Sequence, residues 1–241
     1  VENFNETIEK AIELNTDRIV TFSYAHVPSI LPRQKILENL GFPAAEDKAK
    51  MYENAYKKFT KAGYVAIGMD HFCRPDDEFF IALNNNQLHR NFQGYCTTKT
   101  TGQVYGFGAS SISQLFSAYS QNVKNAAQYI KKINEKNTAV LRGYKLDKNE
   151  KIIRDIINSI MCNYYVDFSE ISEKFKTDIV SIKKIINFSE ESLRDFTDLN
   201  IMEIKNDKIT ISHDARLFIR NIAMKFDPQL SKKIGTYSKT I

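Results

Sequence analysis

Tyr64-Val65-Ala66-Ile67-Gly68-Met69 runs straight into Asp70-His71-Phe72-Cys73-Arg74-Pro75-Asp76-Asp77-Glu78. The first six residues are a short apolar run of the kind that fills a buried strand. The residues after them supply a dense polar cluster and then a helix start. Pro75 suits a first helical turn, and the carboxylates behind it complement the helix dipole. Strand, polar loop and helix make one βα unit. The same order recurs upstream. Phe4, Ile8, Ala11 and Ile12 share one face of a helix, which Asn15-Thr16-Asp17 ends. Residues 18–24 (RIVTFSY) read as a buried strand, and residues 25–43, with Pro28, Pro32 and Pro43, as a long strand-to-helix loop. Ala49, Tyr52, Tyr56 and Phe59 mark a second helix, closed by Gly63. Helix, strand, helix, strand is the rhythm of parallel βα units.

Downstream the texture changes. From Asp147 the chain is rich in Ile and Lys, and Ile152, Ile153, Ile156, Ile157 and Ile160 line one helical face. Ile201-Met202-Glu203-Ile204 and Ile209-Thr210-Ile211 flank Lys205-Asn206-Asp207-Lys208, a hairpin pattern, and residues 217–224 are helical again. This order is winged-helix-like. The boundary is expected near Gly143, giving parts 1–143 and 144–241.

Composition narrows the classes. In 241 residues, 42% are hydrophobic and 26% charged, an ordinary globular mix, and 9 Gly with 5 Pro exclude collagen-like and low-complexity chains. No apolar run approaches twenty residues, so no membrane-spanning helix is expected. The net charge of +5 raises the question of nucleic acid. Residues 1–143 carry 17 Lys+Arg against 14 Asp+Glu, and residues 144–241 carry 17 against 15, so there is no basic block to meet phosphate. Cys73, Cys96 and Cys162 are too few and too dispersed for a disulfide framework and form no C-x-x-C pair, which fits a reducing cytoplasm. The chain begins with Val1 directly in a helix-like stretch and reads as a piece of something longer.

Three polar motifs are candidates for chemistry. Asp70, His71 and Arg74 follow a strand, where the reactive residues of βα barrels sit. A helix N-terminus accounts equally well for Asp76, Asp77 and Glu78. A metal reading of Asp70, His71, Asp76 and His89 lacks ligand spacing. His89-Arg90-Asn91-Phe92-Gln93-Gly94-Tyr95 suits either a wall facing a polar ligand or an amphipathic edge strand. As one strand it would place Arg90, Phe92 and Gly94 on one face. Val104-Tyr105-Gly106-Phe107-Gly108-Ala109-Ser110-Ser111-Ile112 reads as strand, Gly-x-Gly turn and helix start. Glycines there admit close approach of a ligand, a helix N-terminus favours an anion, and a plain packing turn is the alternative.

These segments, with Ser23-Tyr24-Ala25-His26-Val27-Pro28 and Arg216-Leu217-Phe218-Ile219-Arg220-Asn221-Ile222, closely resemble the bacterial oxygen-independent coproporphyrinogen III oxidase family of radical S-adenosylmethionine enzymes. The combination GMDHF-x-RPDDE followed by HRNFQGY is specific to the oxidases, and heme-chaperone relatives match it poorly. The resemblance implies an α/β fold, the C-terminal portion of an open radical-SAM (β/α) barrel followed by a small, mostly helical, winged-helix-like domain. It implies oxidative decarboxylation of two propionates of coproporphyrinogen III to vinyl groups, using S-adenosylmethionine, a [4Fe–4S] cluster and an unidentified electron donor. The family's cluster-binding C-x-x-x-C-x-x-C has no counterpart here, nor has its glycine-rich methionine-binding stretch. The chain therefore resembles the C-terminal part alone and is expected to be inactive by itself, with no cofactor bound. Ala25 matches a residue contacting a second S-adenosylmethionine, Ile112 one contacting the cluster-bound molecule, and Gln93 a glutamine lining the active site. Gly106 and Gly108 accompany Ile112. Asp70, His71, Arg74 and Arg90 are candidates for substrate contact, since guanidinium forks pair with the carboxylates of such a substrate.

Two other classes compete. A winged-helix nucleic-acid binder would read with Ser189-Glu190-Glu191-Ser192-Leu193-Arg194-Asp195-Phe196, which is acidic where phosphate demands Lys or Arg. A metal-dependent barrel hydrolase would be built on Asp70, His71 and His89. Anaerobic treatment of the chain with iron and sulfide is expected to leave it colourless, as judged by visible absorption. A stable, stoichiometric cluster would contradict the mismatch between its three cysteines and the family's ligands.

Overall fold

The computed structural model describes residues 1–92, 94–98 and 102–230. The chain divides into two compact units, Val1–Ile81 with Gln229 and Leu230, and Ala82–Pro228. Helices and sheets are mixed in both.

In the first unit, helix α1 (Glu2–Glu13) leads to strand β1 (Arg18–Val20), a 3-10 stretch at Pro32–Leu40, helix α2 (Ala45–Lys61), strands β2 (Val65–Ile67) and β3 (His71–Cys73), and the start of helix α3 (Glu78–Asn84). The two helices bury the faces expected from their spacing. Ile8 of α1 and Ala55 and Phe59 of α2 form the core with Tyr64 and Phe72, and the Phe59 and Phe72 rings stand 4.9 Å apart. Gly63, at φ +85°, turns the chain out of α2.

The strand pairing departs from the expected parallel βα arrangement. The sheet order is β1-β3-β2, with β3 antiparallel to both neighbours. The cause lies at Gly68, whose φ of +60° bends the chain immediately after β2. Residues 71–73 therefore return between the two strands that the sequence pairs directly. Asp70 stands in the turn and His71 on a strand, so this cluster is a hairpin and not a loop beyond a strand end. The helix start does follow. Asp77 Oδ1 accepts the Phe79 N–H at 2.8 Å, and Arg18 donates to Asp77 at 2.7 Å and to Glu78 at 2.8 Å with its guanidinium 3.8 Å from the Phe79 ring centroid. First-turn carboxylates here cap the helix and hold Arg18.

The second unit contains the hairpin β4 (Leu88–Asn91) and β5 (Gly94–Thr97), then an antiparallel sheet of β6 (Ile112–Gln114), β7 (Ala118–Asn122) and β8 (Val140–Lys145), with helix α4 (Ala126–Lys136) between the last two. Helix α5 (Lys148–Asn163) follows, then β9 (Tyr165–Asp167), α6 (Phe168–Phe175), α7 (Ile179–Ile185), α8 (Arg194–Asp198), β10 (Met202–Lys205), β11 (Lys208–Ile211) and α9 (Ile219–Met224). Gly143, where the texture changes, lies inside β8. Asp147 and Glu150 close a reciprocal capping box at the start of α5. Ile152, Ile156 and Ile160 are fully buried, and α5 packs against β4, β9, α6, α7 and α9. The hairpin expected around Asn206-Asp207 forms, both residues taking the positive φ that a two-residue turn requires. Its partner β9 gives the order β10-β11-β9. Among the described residues, no helix is long and apolar enough to cross a membrane.

Because Ile156 is enclosed by several elements at once, Ile156→Ala should lower unfolding free energy by roughly 2–5 kcal/mol. Val180→Ala, at an exposed position of α7, should change it by less than about 0.5 kcal/mol. Urea denaturation of both variants checks the difference.

Candidate functional site

In the first unit the structure brings Asp70 and His71 together, with Asp70 Oδ1 2.6 Å from His71 Nδ1 and both side chains mostly buried. The turn carrying them is fixed from two sides. Thr21 N–H donates to the Asp70 carbonyl at 2.8 Å, and the Tyr52 hydroxyl to the Met69 carbonyl at 2.8 Å. A carboxylate held on Nδ1 orients the imidazole. Arg74 serves differently. It donates to the Ala62 carbonyl at 3.0 Å and to Asn15 Oδ1, and its guanidinium lies 3.9 Å from the Tyr64 ring centroid. It thus ties the end of α2 to the loop after α1.

Ala25 lies in a braced segment, where Gln34 donates from Nε2 to the Ala25 carbonyl at 3.0 Å and accepts the Val27 N–H at 2.6 Å. Next to it, His26 pairs with Glu38 at 2.9 Å and packs 4.6 Å from the Phe42 ring. A cleft of about 740 Å³ opens here, lined among others by Phe22, Tyr24, His26, Phe42, Tyr52 and Phe59. Sequence reasoning missed it. The signal available was the cluster of aromatic residues at the end of the strand-to-helix stretch.

In the second unit, His89-Arg90-Asn91-Phe92 does not continue as one strand to Tyr95. The chain turns at Phe92 and returns as β5, so Arg90 faces Tyr95 across the hairpin, with 4.9 Å between guanidinium and ring centroid. The expected alternation over residues 89–95 is thereby overturned. Gln93 lies outside the described residues. The turn is anchored to the neighbouring sheet, because Phe92 N–H donates to Oε1 of the buried Gln114 at 3.3 Å. Gln114 belongs to β6, the strand that begins with Ile112.

Ile112 is itself a correction, for it opens β6 opposite Gln121 and not a helix. Without a helix N-terminus, the anion-binding argument for Gly106 and Gly108 falls. Their geometry has another reason. A Cβ on Gly106 would meet the Ile112 carbonyl oxygen at 2.7 Å, and Gly108 holds φ +95°. Asn122 Nδ2 donates to the Gly108 carbonyl at 3.1 Å and to Ser111 Oγ at 2.9 Å, which locks the turn onto β7.

Burial pushes the Cys73 thiol up to about 11, with Asp77 adding to it, and raises those of Cys96 and Cys162. Protonated thiols are poor metal ligands. Among the described residues no three His, Cys, Asp or Glu side chains stand together as metal ligands, so the set Asp70, His71, Asp76 and His89 is not assembled. Burial, and then the charge of Arg154, lowers the pKa of His89 below 6.5. A group whose folded pKa is depressed stabilises the fold above its unfolded pKa and loses that contribution as pH falls. The Tm of the chain should therefore drop between pH 7.5 and 5, and drop less in His89→Gln. Equal slopes in both proteins would contradict a neutral, half-buried His89.

No family model matches the chain. Individual proteins do. It is 35% identical to oxygen-independent coproporphyrinogen III oxidase of Salmonella typhimurium over 96% of this chain and 50% of that protein, and equally similar to the one of Escherichia coli K12. The same enzyme of Thermostichus vulcanus is 35% identical over the whole of this chain and 74% of its own length. The solved coproporphyrinogen III oxidase from Escherichia coli, a radical SAM enzyme, superposes with a TM-score of 0.84 at 35% identity, covering 94% of this chain and 51% of that one. The chain thus spans about half the length of its Salmonella and Escherichia relatives. With a relative of this identity covered over nearly three quarters of its length, the chain belongs to the oxygen-independent coproporphyrinogen III oxidase family.

Proposed function

We propose that this chain supplies the substrate-facing part of an enzyme that oxidatively decarboxylates two propionates of coproporphyrinogen III, giving protoporphyrinogen IX. The observation that carries the reading is the Phe92–Gln114 hydrogen bond. It ties the turn of the HRNFQGY motif to the strand bearing Ile112, so two motifs far apart in sequence meet on one framework. In this reading residues 1–143 are the end of an open (β/α) barrel and residues 144–241 a winged-helix-like terminal domain of a cytoplasmic protein.

In the full-length enzyme, S-adenosylmethionine with a [4Fe–4S] cluster would supply the radical chemistry. The cluster does not fit this chain, whose buried thiols are held protonated and assemble no ligand set. What the chain's own residues offer is positioning. Ile112 gives an apolar contact for the adenosyl group, Ala25 a contact for a second S-adenosylmethionine, and Gly106 and Gly108 the backbone beside Ile112. Gln93 is the match to the family's active-site glutamine, and Arg90 offers a guanidinium suited to a carboxylate. In the other unit Asp70 holds the His71 imidazole, and Arg74 is engaged by Ala62 and Asn15. A nucleic-acid partner is disfavoured, since residues 189–196 form a 3-10 turn and part of the five-residue α8, too short and too acidic to read a groove.

The test is a chimera in which this chain replaces the matched half of the Escherichia coli relative, assayed anaerobically for protoporphyrinogen. Turnover is expected. Gln93→Ala should slow it with cluster content unchanged, and Ile112→Asp should weaken S-adenosylmethionine binding by about 1–3 kcal/mol. A chimera with an intact cluster and normal S-adenosylmethionine binding but no decarboxylation would overturn the proposal.

A further inference from the structure

Four arginines of this protein hold hydrogen-bond acceptors with their guanidinium groups. Arg18 has Asp77 and Glu78, Arg74 has Ala62 and Asn15, Arg142 has Gln121, and Arg154 donates to the carbonyls of Leu115 and Phe116. Arg90 stacks on the Tyr95 ring instead. Its Nη1 is fully buried and meets no acceptor, and no carboxylate pairs with it among the described residues. A buried donor without an acceptor is costly, and more so when it carries charge.

A second orphan stands at the end of α5. Oδ1 of Asn163, the last residue of α5, is buried and meets no donor. The Tyr95 hydroxyl donates to the Met161 carbonyl at 3.3 Å, so the hairpin strand carrying Tyr95 rests on the end of α5. Burial raises the pKa of the Cys162 thiol, between Met161 and Asn163, and the charge of Arg90 opposes that rise. The negative end of α5 attracts a guanidinium. It does not supply the missing hydrogen bond, since Arg90 Nη1 meets no acceptor at this helix end. Turned over, the Asn163 amide presents Nδ2 in place of Oδ1. The hairpin and the helix end then offer a guanidinium N–H and an amide N–H with no anion of their own.

We infer that Arg90 and Asn163 form an anchor for one carboxylate arm of the substrate. This rests on the tetracarboxylate reading above and deepens it by naming where one arm ends. The pairing is that of a guanidinium fork with a carboxylate, supported by a neutral donor.

The probes are coproporphyrin III, its uncharged tetramethyl ester and carbon-13-labelled propionate, titrated into the chain and its Arg90→Met and Asn163→Ala variants. Porphyrin binding is read from the Soret band and propionate binding by NMR. The chain should bind the acid at least about tenfold more tightly than the ester, and Arg90→Met should remove that preference, a loss of about ten- to a hundredfold for one charge-assisted hydrogen bond. Asn163→Ala should reduce the preference in part. The Tm of Arg90→Met should be equal to or higher than that of the parent, because an unpaired buried charge is removed. Porphyrin binding that ignores Arg90 would overturn the anchor and leave the tetrapyrrole reading standing. Propionate binding lost in Arg90→Met without any porphyrin binding would do the reverse. A lower Tm in Arg90→Met, or a parent chain that binds none of the probes, would overturn the anchor and mark Arg90 as structural.

Discussion

The second unit depends on one face of one helix. Ile152, Ile156 and Ile160 of α5 are one turn apart, fully buried, and enclosed by elements from both sides of the sequence, β4 before the helix and β9, α6, α7 and α9 after it. A stripe of β-branched residues is a moderate helix former at best. Its stability comes from burial, and that couples the hairpin bearing Arg90 to the terminal elements through a shared apolar surface. The ends of α5 are finished by polar means. A capping box satisfies the first turn, and Tyr164 closes the last in a left-handed conformation at φ 59°. Helix position and length are thus fixed independently of the packing, which is what allows a side chain at its last residue to hold a defined place.

Much of this was legible in the residues. The 3.6-residue spacing of Phe4, Ile8 and Ile12, of Tyr52, Tyr56 and Phe59, and of the α5 isoleucines marks helices that exist. The Asn206-Asp207 turn marks a hairpin that exists, because a two-residue connection demands positive φ and these residues tolerate it. What failed was pairing. Short apolar runs look the same in parallel and antiparallel sheets, and only the turn after Gly68 decides that β3 intervenes between β1 and β2. A strand start and a helix start are equally alike when both follow glycine, which is why Ile112 reads as a helix N-terminus and stands on β6. The break in texture at Gly143 is real in composition, yet a paired strand crosses it.

The site was legible as motifs but not as geometry. Gly106 looks like a ligand-binding glycine, and its close approach is to backbone, the Ile112 carbonyl. Arg74 looks like a carboxylate fork, and its nitrogens hold Ala62 and Asn15. Arg90 carries the same side chain with no such partner. Residue type alone cannot separate these two arginines. The difference is made by tertiary neighbours, Ala62 and Asn15 for Arg74, and for Arg90 the cross-strand Tyr95 and the far-removed helix α5.

On the proposed reading the chemistry is divided between the halves of the family's chain for a physical reason. A cluster needs thiolates, and thiolates need an electropositive or partly solvated setting. Cys73 and Cys162 are wrapped in apolar surroundings that keep the proton on sulfur, so these cysteines behave as small core residues. What this part of the chain does carry, on that reading, is a hairpin turn fixed by Gln114 and, on the same hairpin, the Arg90 guanidinium, which pairs with no anion among the described residues. Retaining an unpaired cation beside α5 works against stability. Apolar packing around Ile152, Ile156 and Ile160 acts in the opposite direction, so the same helix that builds the core also carries an unsatisfied polar atom, Asn163 Oδ1, at its end.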